Sequence, residues 1–192
     1  MINKALSFIE DQTNLYLQGI DPTETEKQAI LGNIAKIADD GDDAGVVITL
    51  VNIEEDRISK NPDGIYRVGG QVKKGNPKIL VNLYLLFSVH LKNYATSLTM
   101  ISNVIQCFQS NNYFPRSEFP SLDENIERLK LELYTMNFEQ VNHLWSTLGG
   151  KYLPSVLYKL QMIPIADQDN QTESGLITEI ETNKSVIEAV AP

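Results

Sequence analysis

Cysteine is almost absent from the chain. The 192 residues contain one, Cys107, which excludes an intrachain disulfide framework and any CxxC metal or redox motif and suits synthesis in a reducing cytoplasm. Histidine is nearly as scarce. His90 and His143 have no HxH, HxxxH or HExxH neighbour, so a metal site would need carboxylates from distant segments, and a hydrogen bond at a helix surface is the plainer role. Long hydrophobic runs are missing too. The longest, Ile79 to Val89, is interrupted by Asn82 and Ser88 and falls short of the roughly 18 residues of a membrane-spanning helix. The opening MINKALSFIEDQTNLYLQ carries acidic and amide residues where a secretory signal needs an unbroken apolar core. Positive charge is in the minority: 16 Lys and Arg against 25 Asp and Glu give a formal charge of -9. Such a field repels phosphate backbones, so nucleic acid is not an expected partner.

Catalytic signatures are also lacking. VGGQVKKGN holds glycines and lysines without the spacing of a phosphate-binding loop, and no GxSxG is present. Asp40, Asp42 and Gly45 imitate the start of a calcium loop, but Ala44 stands at its fifth position and Val51 at its twelfth, where a bidentate glutamate is needed. Cys107, beside Phe108, reads as a small hydrophobe. No acid, base and nucleophile are assembled, so neither an enzyme nor a cofactor is expected.

What is present is the profile of a folded protein, with 42% hydrophobic and 21% charged residues. The length suits one domain of about 150 residues with an appendage. Ile2, Ala5, Leu6, Ile9, Tyr16 and Leu17 predict an opening amphipathic helix. Residues 27–38 are ambiguous, because Ile30, Ile34 and Ile37 suit a helix while Gly32 disfavours one; a short strand is expected, in a hairpin with the β-branched strand VVITLVNI at 46–53. Residues 54–78 read as a long loop with four glycines, two prolines and a local basic surplus. Arg57, Lys60, Arg67, Lys73 and Lys74 make it a candidate contact patch.

ILVNLYLLFSV, residues 79–89, predicts a strand with Val81, Leu83, Leu85 and Phe87 on one face and Leu80, Tyr84 and Leu86 on the other, so both faces need cover. Tyr94, Leu98, Ile101, Ile105 and Phe108 predict an amphipathic helix over that strand. RLKLELYTM at 128–136 predicts a half-buried strand with Leu129, Leu131 and Leu133 inward. Asn137 then starts a helix, with Gln140 completing a capping box, Met136 stapled onto Val141, and Gly149 ending it in left-handed geometry. Val141, Leu144, Trp145 and Leu148 form its apolar face, with Trp145 and Tyr152 as candidate core or contact residues and His143 unassigned. SVLYKLQMIPI at 155–165 predicts a last strand bounded by Pro154 and Pro164, sites that suit an edge or a strand end. The acidic residues beyond read as an arm. The expected class is α+β: a small mixed, largely antiparallel sheet with packed helices, a domain at 1–166 and a C-terminal arm at 167–192.

Taken in order, VVITLVNIEEDR, KILVNLYLLFS, VIQCFQSNNYF, LKLELYTM and NFEQVNHLWSTLGGKYLPSVLYKLQM closely resemble the tail terminator or cap family of extracellular contractile injection systems. These are phage-tail-like particles of the antifeeding-prophage and virulence-cassette type. The resemblance spans roughly residues 2–165, and NHLWSTLGGKYLPSVLYK is its most specific block. It implies a fold like phage tail terminators, assembled as a homo-hexamer on the distal end of an inner tube, with the tube protein and the contractile sheath protein as partners. It implies no catalytic residues and no membrane insertion. Two alternatives stand beside it: a terminator of a related contractile phage tail, and a small-ligand-binding or enzymatic domain using His143 and Trp145.

Overall fold

The computed structural model describes residues 1–22, 28–40, 43–56, 65–68, 71–75, 79–149, 151–165 and 171–172. In chain order the elements are α1 (Ile2–Ile20), β1 (Ala29–Leu31), α2 (Ile34–Asp40), β2 (Gly45–Glu55), β3 (Ile65–Val68), β4 (Gln71–Gly75), β5 (Ile79–His90), α3 (Tyr94–Ser110), β6 (Tyr113–Pro115), β7 (Arg128–Tyr134), α4 (Phe138–Thr147), β8 (Ser155–Ile165) and β9 (Gln171–Thr172). Contacts divide the chain into two units, Met1–Lys60 with Lys78–Ile165, and Asn61–Pro77 with Ala166–Pro192.

The first unit is built on a six-stranded sheet of order β1-β2-β5-β8-β7-β6. Only β1 and β2 are parallel; every other neighbour is antiparallel. This is the expected α+β arrangement with helices packed on a mixed, largely antiparallel sheet. The alternation along β5 divides the interior in two. Val81, Leu83, Leu85, Phe87 and Val89 join the larger core with residues of α1 and α3, whereas Leu86 joins a smaller cluster with Ile34, Val47, Trp145 and Leu157. Within the larger core, Phe87, Phe108 and Tyr158 meet edge to face at 5.3–5.5 Å, each pair adding about 0.5–1.5 kcal/mol beyond its burial.

Several local expectations are corrected. Where one strand was expected over 27–38, Ala29–Leu31 form a strand and Ile34–Asp40 a helix, and β1 and β2 are parallel rather than a hairpin. Gly32 sits at the junction. Its N–H donates to the Ile48 carbonyl at 3.1 Å, and the Thr49 hydroxyl donates to the Gly32 carbonyl at 2.7 Å while accepting from the Ile34 N–H at 3.1 Å. Those bonds turn the chain into α2, whose passage brings β2 back beside β1 in the same direction. Ile65–Val68 and Gln71–Gly75, expected as loop, pair antiparallel as β3 and β4, and β9 adds to β4; these three strands make the second unit's sheet. On α3 the buried residues are Ser97, Val104, Cys107 and Phe108, while Tyr94, Leu98 and Ile105 are exposed. The helix is therefore rotated from the expected stripe so that a serine and a valine, small enough for close approach, face the sheet. Leu133 is exposed rather than inward.

β8 lies inside the sheet, between β5 and β7, not at an edge. Its prolines are tolerated at its limits. Pro164 pairs with Leu80 of β5, past the last β7 partner at Gln161, so one side of the strand there has no ladder to complete. Two register slips mark bulges, one on β2 between Leu50 and Asn52 and one where β5 meets β8, between Val81 and Leu83.

Candidate assembly surface

α4 begins as its sequence requires. The Asn137 side chain accepts from the Gln140 N–H at 2.8 Å and the Gln140 side chain accepts from the Asn137 N–H at 3.0 Å, closing the capping box. Gly149, at φ 104°, ends the helix in the left-handed region. This places Trp145 inward, 5% exposed, against Leu86 and Leu157. Its ring meets Tyr152 edge to face at 5.7 Å. Beside it lies a groove of about 570 Å³ lined by Met136, Phe138, Val141, Trp145 and Tyr152 among others. Phe138 is 96% exposed at the groove's rim, and the Trp145 Nε1–H is buried without a hydrogen-bond partner among the described residues.

His143 is exposed and does not line this groove. The structure thus does not bring His143 and Trp145 into one pocket. Cys107 is buried, and burial pushes its thiol up to about 12, so thiolate chemistry is suppressed at neutral pH. Among the described residues no three His, Cys, Asp or Glu side chains gather to hold a metal. No described helix is long and apolar enough to cross a membrane.

The polar groups that do converge form a row across four strands. Pairing aligns Asn52, Tyr84, Lys159 and Glu132 side by side on β2, β5, β8 and β7. The Tyr84 hydroxyl donates to Glu54 at 2.6 Å, Lys159 lies 3.4 Å from the same carboxylate and 5.7 Å from the Tyr84 ring centroid, and Gln161 donates to Glu132 at 2.7 Å. Burial first, then the Glu54 contact, pushes the Tyr84 phenol up to about 12; Glu54 is in turn lowered by that bond and by Lys159. The row is a fixed pattern of charge and aromatic rings, suited to recognition.

Of the basic residues expected as contacts, Arg57 and Lys60 lie outside the described residues. The backbone of Arg67 lies in β3 and those of Lys73 and Lys74 in β4. Sequence reasoning missed the exposed positions Ile53, Phe138 and Leu133. For Phe138 periodicity gave no signal, because it stands at i, i+3 and i+7 with Val141 and Trp145 and so on their helical face, yet it is exposed at the helix's first position.

A comparison with protein-family profiles matches residues 8–179 to the Pvc16 N-terminal domain. Two solved structures share the fold. One is the sheath/tube terminator of PVC, an extracellular contractile injection system, in its extended state: 13% identity, TM-score 0.57, 94% of this chain and 64% of that chain. The other is the tube-terminating cap of the anti-feeding prophage: 14% identity, TM-score 0.57, 91% of this chain and 60% of that chain. The chain therefore spans less than two thirds of the length of each. No curated protein matches it by sequence.

Proposed function

The chain belongs to the Pvc16 N-terminal domain family, and from that premise we infer that it is a structural cap: a ring of six copies on the distal end of an inner tube, where it ends tube growth and holds the last layer of contractile sheath. The family match over residues 8–179 carries the reading, supported by a fold shared with two terminators of such particles. The chemistry agrees. A cap needs fixed surfaces rather than turnover, and this chain presents exposed apolar residues and a row of charged groups fixed by hydrogen bonds and an ion pair. A closed ring of head-to-tail contacts also explains termination, because closure prevents open-ended growth within the layer.

In this reading residues 1–166 form the cap domain, and residues 167–192 are an arm that docks on the sheath by adding a strand to a sheet edge. The basic residues of the 57–78 segment meet an acidic surface on tube or sheath. The particle is assembled in the cytoplasm and acts either after release or at a membrane. Co-expression with the cognate tube and sheath proteins tests this directly. Particles of uniform length with sheath attached are expected, and the charge reversals Lys73→Glu and Lys74→Glu together should release sheath from the end. Tubes whose length distribution and ends do not change when the chain is left out would overturn the reading.

A further inference from the structure

Each outer edge of the sheet is covered over part of its length, and the two covers stand at opposite ends. Beside β1, the buried Asn14 side chain of α1 accepts from the Ala29 N–H at 2.9 Å and donates to the Ala29 carbonyl at 2.8 Å, doing the work of an outer strand. At the opposite edge, β6 pairs with β7 only from Arg128 to Lys130, and the Asn112 carbonyl accepts from the Leu131 N–H at 2.8 Å. Past these covers, no described strand pairs with the outer side of β2 beyond Ile48 or of β7 beyond Lys130.

The two bare stretches lie at the same level of the sheet. Pairing aligns Leu131, Leu160, Leu83 and Ile53 in one row, and Leu133, Tyr158, Leu85 and Leu50 in another. Both rows face the larger core, yet at their ends Ile53 is 49% and Leu133 is 56% exposed. Because β2, β5, β8 and β7 alternate in direction, β7 runs opposite to β2. A second copy could therefore set its β2 beside β7 and continue the antiparallel alternation. An uncovered edge with an exposed aliphatic residue is what proteins ordinarily avoid unless it is paired.

We propose that copies of this chain join through these edges, β7 of one copy pairing antiparallel with β2 of the next, so that Leu133 packs beside the neighbour's Leu50 and Ile53 and the middle of the sheet, between the two covers, runs on from copy to copy. The joint is head to tail, since each copy contributes two different edges. The proposal deepens the ring reading above and rests on it for closure, but the contact is a property of the chain alone.

The test uses the full chain carrying Ile53→Cys and Leu133→Cys with Cys107→Ser, treated with a short bismaleimide. A ladder of cross-linked species ending in a closed oligomer is expected, with no ladder from either single-cysteine protein. A second variant guards against misfolding. Alternation along β7 directs the Leu133 N–H outward, like that of Leu131, so Leu133→Pro removes a donor the monomer does not use; it should keep the native circular dichroism and melt while light scattering shows monomer. An oligomer that gives no ladder, a dimer from either single-cysteine protein, or a folded Leu133→Pro protein of unchanged mass would each overturn the joint. Failure of the cap reading would look different: the ladder would form, but the protein would not bind tube ends.

Discussion

Cys107, Tyr84 and Tyr158 are three weak acids held in their neutral forms by burial, with Tyr84 also donating to Glu54. Their ordinary values are 9.0 for the thiol and 10.0 for the phenols, and each is pushed up to about 12 in the folded protein. Unfolded, they release protons at those ordinary values; folded, they retain them longer. Between pH 9 and about 12 the native state therefore binds more protons, and its advantage, complete below pH 9, is lost as pH rises. Urea midpoints should fall along this limb, and Cys107→Ser should remove the portion that begins near pH 9. At pH 8 the native thiol should resist dithionitrobenzoate and react once the protein is unfolded. At acid pH the sign reverses for Asp123. Lys4 and the two Asn125 donors hold its carboxyl well below the usual range, so that contact is complete above its ordinary value of 3.8 and weakens as pH falls.

Among elements, α4 is the clearest case of sequence dictating structure. Asn137 and Gln140 satisfy two N-terminal N–H and side-chain contacts reciprocally, and nothing distant competes with them. Asn137→Ala should cost about 1 kcal/mol in denaturant unfolding, within a range of roughly 0.5–2. The β5 alternation was equally legible, because a strand buried on both faces must show apolar residues at odd and even positions alike. Less legible were the elements whose partners decide them. Periodicity on α3 gives Tyr94, Leu98 and Ile105 the same weight as Val104 and Phe108, and only the packed sheet shows that Ser97 is on the buried side and those three are not. Leu133 alternates correctly with Leu131, but it lies past the last β6 pairing at Lys130 and is exposed. The direction of β1 depends on Thr49 and Gly32, 17 residues apart, a contact no local window contains. Of the surface itself, the sequence revealed the aromatic and basic candidates but not the bare edges, since an edge is defined by which strand is missing.

The first unit has two cores of unequal size on one sheet. On one side α1 and α3 enclose most of the buried apolar residues; on the other, Ile34, Val47, Leu86, Trp145 and Leu157 are held under α2 and α4. Local opening follows the smaller cluster, so backbone amides of α4 should exchange with solvent well before those of α3 in a native-state hydrogen-exchange experiment. Equal protection of the two helices would show that the unit opens only as a whole. The bulges add a geometric consequence. One falls on β2 after Leu50 and the other where β5 meets β8, both away from the end that carries β1. Each adds bend and right-handed twist. In the head-to-tail joint proposed above, a segment with built-in curvature would describe an arc instead of a straight ribbon, and the number of segments that complete a circle would be set by that bend rather than by any device that counts.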